Sequence, residues 1–174
     1  MPLPALSLVL GGAASGKSRF AEALCAGRGG QKIYIATAEA LDAEMRAKID
    51  RHRTGRGQSW RTIEAPLAVA DSLASAAPSD TVLIDCATLW LSNLMLAGAD
   101  IDSEAQRLVA ALAVCPAPVT IVSNELGMSV VPENALARRF RNEQGRLNQR
   151  LAAQADLAVL VVAGLPLVLK GRLP

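Results

Sequence analysis

The chain has 174 residues, 51% of them apolar but only 3% aromatic, and a formal net charge of +2. That length buries a core without a disulfide or metal staple, and so small a charge gives no argument for nucleic acid as a partner. The three cysteines (Cys25, Cys86 and Cys115) are odd in number and lack C-x-x-C spacing, which speaks against a disulfide framework or zinc site and for a reducing compartment. With so few aromatics, the core must be built from Leu, Val, Ile and Ala, as in parallel sheets buried on both faces. Fourteen of the eighteen basic residues are arginine. This suits phosphate recognition but is equally what a GC-rich genome produces.

The first predicted element is a strand over 6–10. No basic segment precedes it, so it does not read as a signal peptide. It leads into Gly11-Gly12-Ala13-Ala14-Ser15-Gly16-Lys17-Ser18, which satisfies G-x-x-x-x-G-K-[ST] at every position. Glycine-rich backbone can fold tightly enough to aim successive N–H groups at phosphates, and the helix predicted over 17–26 adds its N-terminal dipole. Lys17 is expected on the β- and γ-phosphates and the Ser18 hydroxyl on Mg²⁺.

After a strand over 32–37, residues 42–53 have helical spacing, with Leu41, Met45 and Ile49 on one stripe and Thr54-Gly55 as the stop. His52, the sole histidine, lies near that stripe among Arg46, Arg51, Arg53, Arg56 and Arg61. Spacing alone favours a partly buried histidine interacting with the helix C-terminus. The alternative is a nucleophile for the α-phosphate of a triphosphate that the arginines hold.

A weaker strand signal covers 60–64 and a helix 66–76. Val82-Leu83-Ile84-Asp85 is an apolar strand ending in an acid, at the sheet edge where ligands of α/β proteins sit. Asp85 either faces Mg²⁺ or caps the helix predicted over 89–96. A helix over 103–113 and a strand over 119–123 follow. The best-marked helix spans 132–155, with Pro132 in its first turn, Leu136, Phe140, Leu147 and Leu151 on one stripe, and Gly145 as its weak point.

Strands over 157–163 and 167–170 close the chain. They are separated only by Gly164-Leu165-Pro166, so the last must return antiparallel at the sheet edge. The apolar run 157–169 is too short, and too broken, to span a bilayer. This alternation predicts an α/β fold: a mostly parallel sheet flanked by helices with an antiparallel C-terminal edge strand, in one domain over 1–174. The chain reads as cytoplasmic, with no membrane span.

The phosphate loop, extended by Arg19, resembles that of the bifunctional adenosylcobinamide kinase / adenosylcobinamide-phosphate guanylyltransferases of cobalamin synthesis. So do Tyr34-Ile35-Ala36-Thr37-Ala38, Arg51-His52-Arg53-Thr54-Gly55-Arg56, Trp60-Arg61-Thr62-Ile63-Glu64, Asp85-Cys86, Leu89-Trp90-Leu91-Ser92-Asn93-Leu94 and Ser123-Asn124-Glu125-Leu126-Gly127-Met128. Val131-Pro132-Glu133-Asn134, Gly145-Arg146-Leu147-Asn148-Gln149-Arg150 and Val162-Ala163-Gly164-Leu165-Pro166 complete a match that spans nearly the whole chain in order.

The resemblance implies a RecA-like P-loop NTPase fold, with ATP and GTP as substrates beside adenosylcobinamide and its phosphate. It implies a guanylylated histidine at His52, with Lys17 as the other catalytic residue. Nucleotide contacts fall on Gly11, Gly12, Ala13, Ala14, Ser15, Gly16, Lys17 and Ser18, then on Thr37, Ala38 and Glu39. Further contacts fall on Arg53, Thr54, Gly55 and Arg56, on Glu64 and on Asp85. Ser18 and Asp85 take Mg²⁺. The resemblance also implies a homotrimer, with subunit contacts in the 51–64 region.

Three positions depart from the family pattern. Ala14 stands where many members carry Arg, Arg51 precedes His52 where some have a second histidine, and Asp85 is Glu in some relatives. The N-K-x-D guanine motif is absent, because Asn124 is followed by Glu125. Guanine preference therefore rests on the resemblance.

Overall fold

Strand-length runs of leucine and β-branched residues form one seven-stranded sheet, and the longer amphipathic patterns form the helices that cover it. The computed structural model describes residues 4–27, 29–38 and 60–174. Within them the chain runs β1 (Leu6–Gly11), α1 (Lys17–Ala26), β2 (Lys32–Ala36), β3 (Trp60–Glu64), α2 (Val69–Leu73) and β4 (Thr81–Asp85). It continues through α3 (Ala87–Leu96), α4 (Ile101–Val114), β5 (Val119–Asn124), α5 (Ala135–Gln154), β6 (Leu157–Val162) and β7 (Leu165–Lys170). The helix predicted over 42–53 lies outside the described residues.

The strand order is β3-β2-β4-β5-β1-β6-β7. All neighbours pair in parallel except β6 and β7, which are antiparallel, as the short connection between them requires. Consecutive side chains point to opposite faces, so each strand feeds two cores. Leu8, Ile33, Ile35, Val82, Ile84 and Ile121 pack on one face with Trp90, Leu91, Leu108, Leu147 and Leu151 of α3, α4 and α5. Val9, Tyr34, Leu83, Val122 and Val159 pack on the other with Ala21 and Cys25 of α1. Each fully buried Leu or Ile contributes about 1.5–3 kcal/mol. Burial on both faces is why these strands read as continuous apolar runs.

Several boundaries differ from the sequence expectation for local reasons. Helix α5 starts at Ala135, leaving Pro132 outside, because Asn134 caps it by accepting from the Leu136 and Ala137 N–H groups at 2.7 and 3.2 Å. It then runs unbroken through Gly145. Helix α3 starts two residues before 89, with Cys86 as its cap, and α2 covers only the middle of 66–76. Strand β7 starts at Leu165 because Ala163 and Gly164 both adopt left-handed backbone (φ 52° and 78°), making a two-residue hairpin turn. Pro166 is tolerated there because β7 is an edge strand. No described helix is long and apolar enough to cross a membrane.

Candidate active site

The phosphate loop leaves β1 at the centre of the sheet's C-terminal edge and turns directly into α1. Left-handed backbone at Ala14 (φ 55°) and Gly16 (φ 91°) makes the turn. A Cβ on Gly16 would sit 3.2 Å from Gly164 Cα, and the Gly164 N–H donates to the Ser15 carbonyl at 2.8 Å. The β6–β7 turn thus braces the loop from behind. Lys17 Nζ donates to the Gly12 carbonyl at 3.1 Å, folding the ammonium back over the loop. Ser15 Oγ is buried and has no hydrogen-bond partner among the described residues. Phosphate oxygens suit a loop with such a hydroxyl, a lysine ammonium and a helix N-terminus beneath it.

Asp85 ends β4. It does not cap the following helix: that role falls to Cys86, whose Sγ accepts from the Leu89 N–H at 3.5 Å. The Asp85 carboxylate instead accepts from Tyr34 Oη at 3.1 Å. Thr37 holds the chain just beyond Asp85. Its hydroxyl donates to the Cys86 carbonyl (2.8 Å) and accepts from the Cys86 N–H (2.7 Å), and its own N–H donates to the Asp85 carbonyl (3.2 Å). Asn93 Nδ2 ties the Thr37 carbonyl to that of Pro66, at 2.8 and 3.0 Å. The Asp85–Cys86 peptide is cis.

Thr37 is fully buried and both of its backbone groups are engaged. It therefore acts as a strut that aims Asp85. Thr37→Val keeps the shape but leaves the Cys86 N–H unpaired, while the Cys86 carbonyl still accepts from the Trp90 N–H, at a cost of about 1–3 kcal/mol. The melting temperature should fall by about 5–10 °C in a thermal scan. A shift under about 2 °C would show that the strut carries no weight.

Glu64 ends β3 and is exposed. Ala36 pairs with Glu64 on one side and Asp85 on the other, so the two carboxylates stand level, about 10 Å apart. Four strand spacings, about 19 Å, separate Glu64 from the phosphate loop. Ala38 is half-buried beyond β2. Glu39, His52, Arg53, Thr54, Gly55 and Arg56 lie outside the described residues. Burial pushes the Cys25 and Cys86 thiols up to about 11, for Cys86 with help from the neighbouring Asp85 charge, so neither is a nucleophile at neutral pH.

The sequence reading missed Tyr34, Asn93 and the bracing role of Gly164. Asn93 left a signal, as a polar residue inside the apolar run of α3. Gly164 was legible only as a break, since its contact with the loop depends on β6 lying beside β1.

Residues 7–169 match the family described as cobinamide kinase / cobinamide phosphate guanyltransferase. The chain is 48% identical to the bifunctional adenosylcobalamin biosynthesis protein CobU of Salmonella typhimurium, over 94% of this chain and 98% of that protein. It is 47% identical to the bifunctional adenosylcobalamin biosynthesis protein CobP of Pseudomonas aeruginosa, over 95% and 97% respectively. Among solved structures it is similar to the RadB recombinase, with a TM-score of 0.54 and 15% identity, covering 91% of this chain and 74% of RadB. At that identity the likeness concerns the fold alone.

Proposed function

The chain belongs to the cobinamide kinase / cobinamide phosphate guanyltransferase family, and on that premise we propose that it phosphorylates adenosylcobinamide and then guanylylates the product through a histidine–GMP intermediate on His52. The observation that carries this reading is the family match over residues 7–169 together with an intact phosphate loop two strands from an acid-tipped β4. In the first reaction the corrinoid's hydroxyl oxygen attacks the γ-phosphorus of ATP or GTP, and the nucleoside diphosphate leaves. In the second an imidazole nitrogen of His52 attacks the α-phosphorus of GTP. The Pα–O bond to the β-phosphate breaks, and pyrophosphate leaves with that electron pair. The phosphate of adenosylcobinamide phosphate then takes GMP from the histidine, giving adenosylcobinamide-GDP.

Lys17 and the loop N–H groups from Gly11 to Ser18 hold the phosphates in this reading. Arg53 and Arg56, with Thr54 and Gly55, hold the triphosphate near the histidine, and Thr37, Ala38 and Glu39 are further nucleotide contacts. Glu64, four strand spacings from the loop, is a nucleotide contact away from the phosphates in this reading. Mg²⁺ fits the donor set, since the Ser18 hydroxyl and Asp85 carboxylate are hard oxygen donors. Among the described residues no cluster of three or more His, Cys, Asp or Glu could hold a metal by itself. Mg²⁺ needs none, because phosphate oxygens and water complete its shell. When bound it would neutralise charge on the transferring phosphates. Exposed Met128, Val130 and Val131, in the segment that leaves β5 at the same edge, support the seating of a substrate with a broad apolar face.

The domain is taken to run over 1–174, in a cytoplasmic protein without a nucleic-acid partner, consistent with its free thiols and small net charge. A homotrimer with subunit contacts in the 51–64 region follows the family resemblance, and exposed Val162, Leu165, Leu167, Val168 and Leu169 make the β7 edge a separate apolar patch that needs cover. Light scattering should give three chain masses; a monomer at micromolar concentration would refute the trimer.

GTP labelled at its α-phosphate tests the reading directly. It should leave label on the protein that is stable in alkali and lost in acid, as a phosphoramidate is. A plain small-molecule kinase, or a nucleotide-switched ATPase, would take up none.

A further inference from the structure

Asn124 ends β5, and β5 lies between β4, which carries Asp85, and β1, which carries the phosphate loop. In register Asn124 pairs with Gly11, whereas Asp85 pairs with Val122. Asn124 therefore stands two residues, about 7 Å, further out along the sheet than Asp85. Leu83 and Val122 pack in the layer beneath α1. By alternation Asp85 and Asn124 project from that same face, the one on which Lys17 and Ser18 open their helix.

The main chain at Asn124 is held from three directions. Its N–H donates to Thr88 Oγ1 at 2.8 Å, and its carbonyl accepts from Asn148 Nδ2 at 3.0 Å. The next N–H, that of Glu125, donates to the Gly11 carbonyl at 3.1 Å. Asn148 is itself fixed, accepting from Ser123 Oγ at 2.6 Å and Gln144 Nε2 at 3.0 Å. None of these bonds uses the Asn124 side chain.

Asn124 Oδ1 is buried without a partner, and Nδ2 donates to nothing among the described residues. Gln144 Oε1 is unpaired too, but it belongs to a residue fully buried beneath the sheet, whereas Asn124 is partly exposed at the ligand edge. A rigid backbone that presents an unused carboxamide is the arrangement a preorganised hydrogen-bond donor requires.

We propose that Asn124 is a catalytic residue of the phosphoryl transfer, its Nδ2 donating to an oxygen of the terminal phosphoryl group. The phosphoryl group lies in the gap between the loop and Asp85, and β5 is the strand that fills that gap. The assignment rests on the kinase reading above, but its first test does not depend on turnover.

Calorimetric titration should compare a non-hydrolysable GTP analogue with GDP on the full-length native protein, Asn124→Ala and Asn124→Asp. Asn124→Ala should weaken the triphosphate analogue about tenfold or more, the loss for one hydrogen bond to a charged acceptor, and leave GDP within about threefold. Asn124→Asp keeps the size and the backbone bonds, but sets a negative charge against the phosphoryl group. It should lose more than Ala does. At saturating nucleotide, phosphorylation of cobinamide by Asn124→Ala should fall about 10²-fold in kcat. Equal losses for triphosphate and diphosphate, or no loss of either, would overturn the proposal. If Asn124→Ala does not fold, the near-isosteric Asp variant decides by the same comparison. Absent cobinamide turnover in the native protein with intact triphosphate discrimination would overturn the kinase reading and leave the Asn124 contact standing.

Discussion

His52→Ala is expected to abolish covalent labelling by α-labelled GTP, and with it GMP transfer, while phosphorylation of adenosylcobinamide stays within a few-fold of native. The argument rests on chemistry rather than on position. Without the imidazole, the α-phosphorus has no protein nucleophile and the two-step route closes. Removing a covalent nucleophile outright costs at least about 10⁴-fold in rate. No second histidine can substitute, because the chain has only one. The buried thiols of Cys25 and Cys86, held up to about 11, cannot substitute either. Phosphorylation is attack by a substrate hydroxyl on a different phosphorus atom and needs no imidazole bond. If label persists on His52→Ala, the covalent assignment is wrong. If phosphorylation falls equally, His52 supports the fold of the nucleotide site rather than one reaction.

The phosphate loop and the parallel alternation were legible because they are local: a contiguous motif, and apolar runs whose length alone separates strand from helix. The antiparallel edge was legible for the same reason, since two residues between strands leave no room for a crossover. What could not be read was the wiring across the sheet. Thr37 stands 49 positions before the Cys86 whose backbone it bridges, and Asn93 lies 56 positions from the Thr37 carbonyl it ties down. Gly164 braces Ser15 only because β6 lies beside β1. These contacts are set by strand order, which periodicity does not specify. The choice at Asp85 between metal ligand and helix cap also turned on a single neighbour: Cys86 takes the cap and leaves the carboxylate turned towards Tyr34. His52 is the opposite case, since spacing favoured a bland role and only the family resemblance raised the nucleophile.

Lys17→Ala should lower both reactions by about 10²–10³-fold in kcat/KM without destabilising the protein. In phosphorylation the γ-phosphoryl group is transferred, and in guanylylation the β,γ-pyrophosphate departs, so a cation at the β,γ position stabilises developing charge in each. The ammonium already lies over the loop, on the Gly12 carbonyl. Yet Lys17 is the first residue of α1, where the helix dipole disfavours a positive charge by about 0.3–1 kcal/mol. Its removal should therefore leave the melting temperature unchanged or raise it by up to about 3 °C. A loss of activity without loss of stability separates this residue from the strut at Thr37, whose substitution lowers the melting temperature. Lys17→Arg should not rescue, because the guanidinium is a planar fork rather than a compact point charge and the loop closes tightly against Gly164. The comparison of the two rates also decides the site question. Equal losses mean that ATP and GTP present their phosphates to one loop. Loss of phosphorylation with guanylylation kept within threefold would mean that the histidine draws its GTP from a second site.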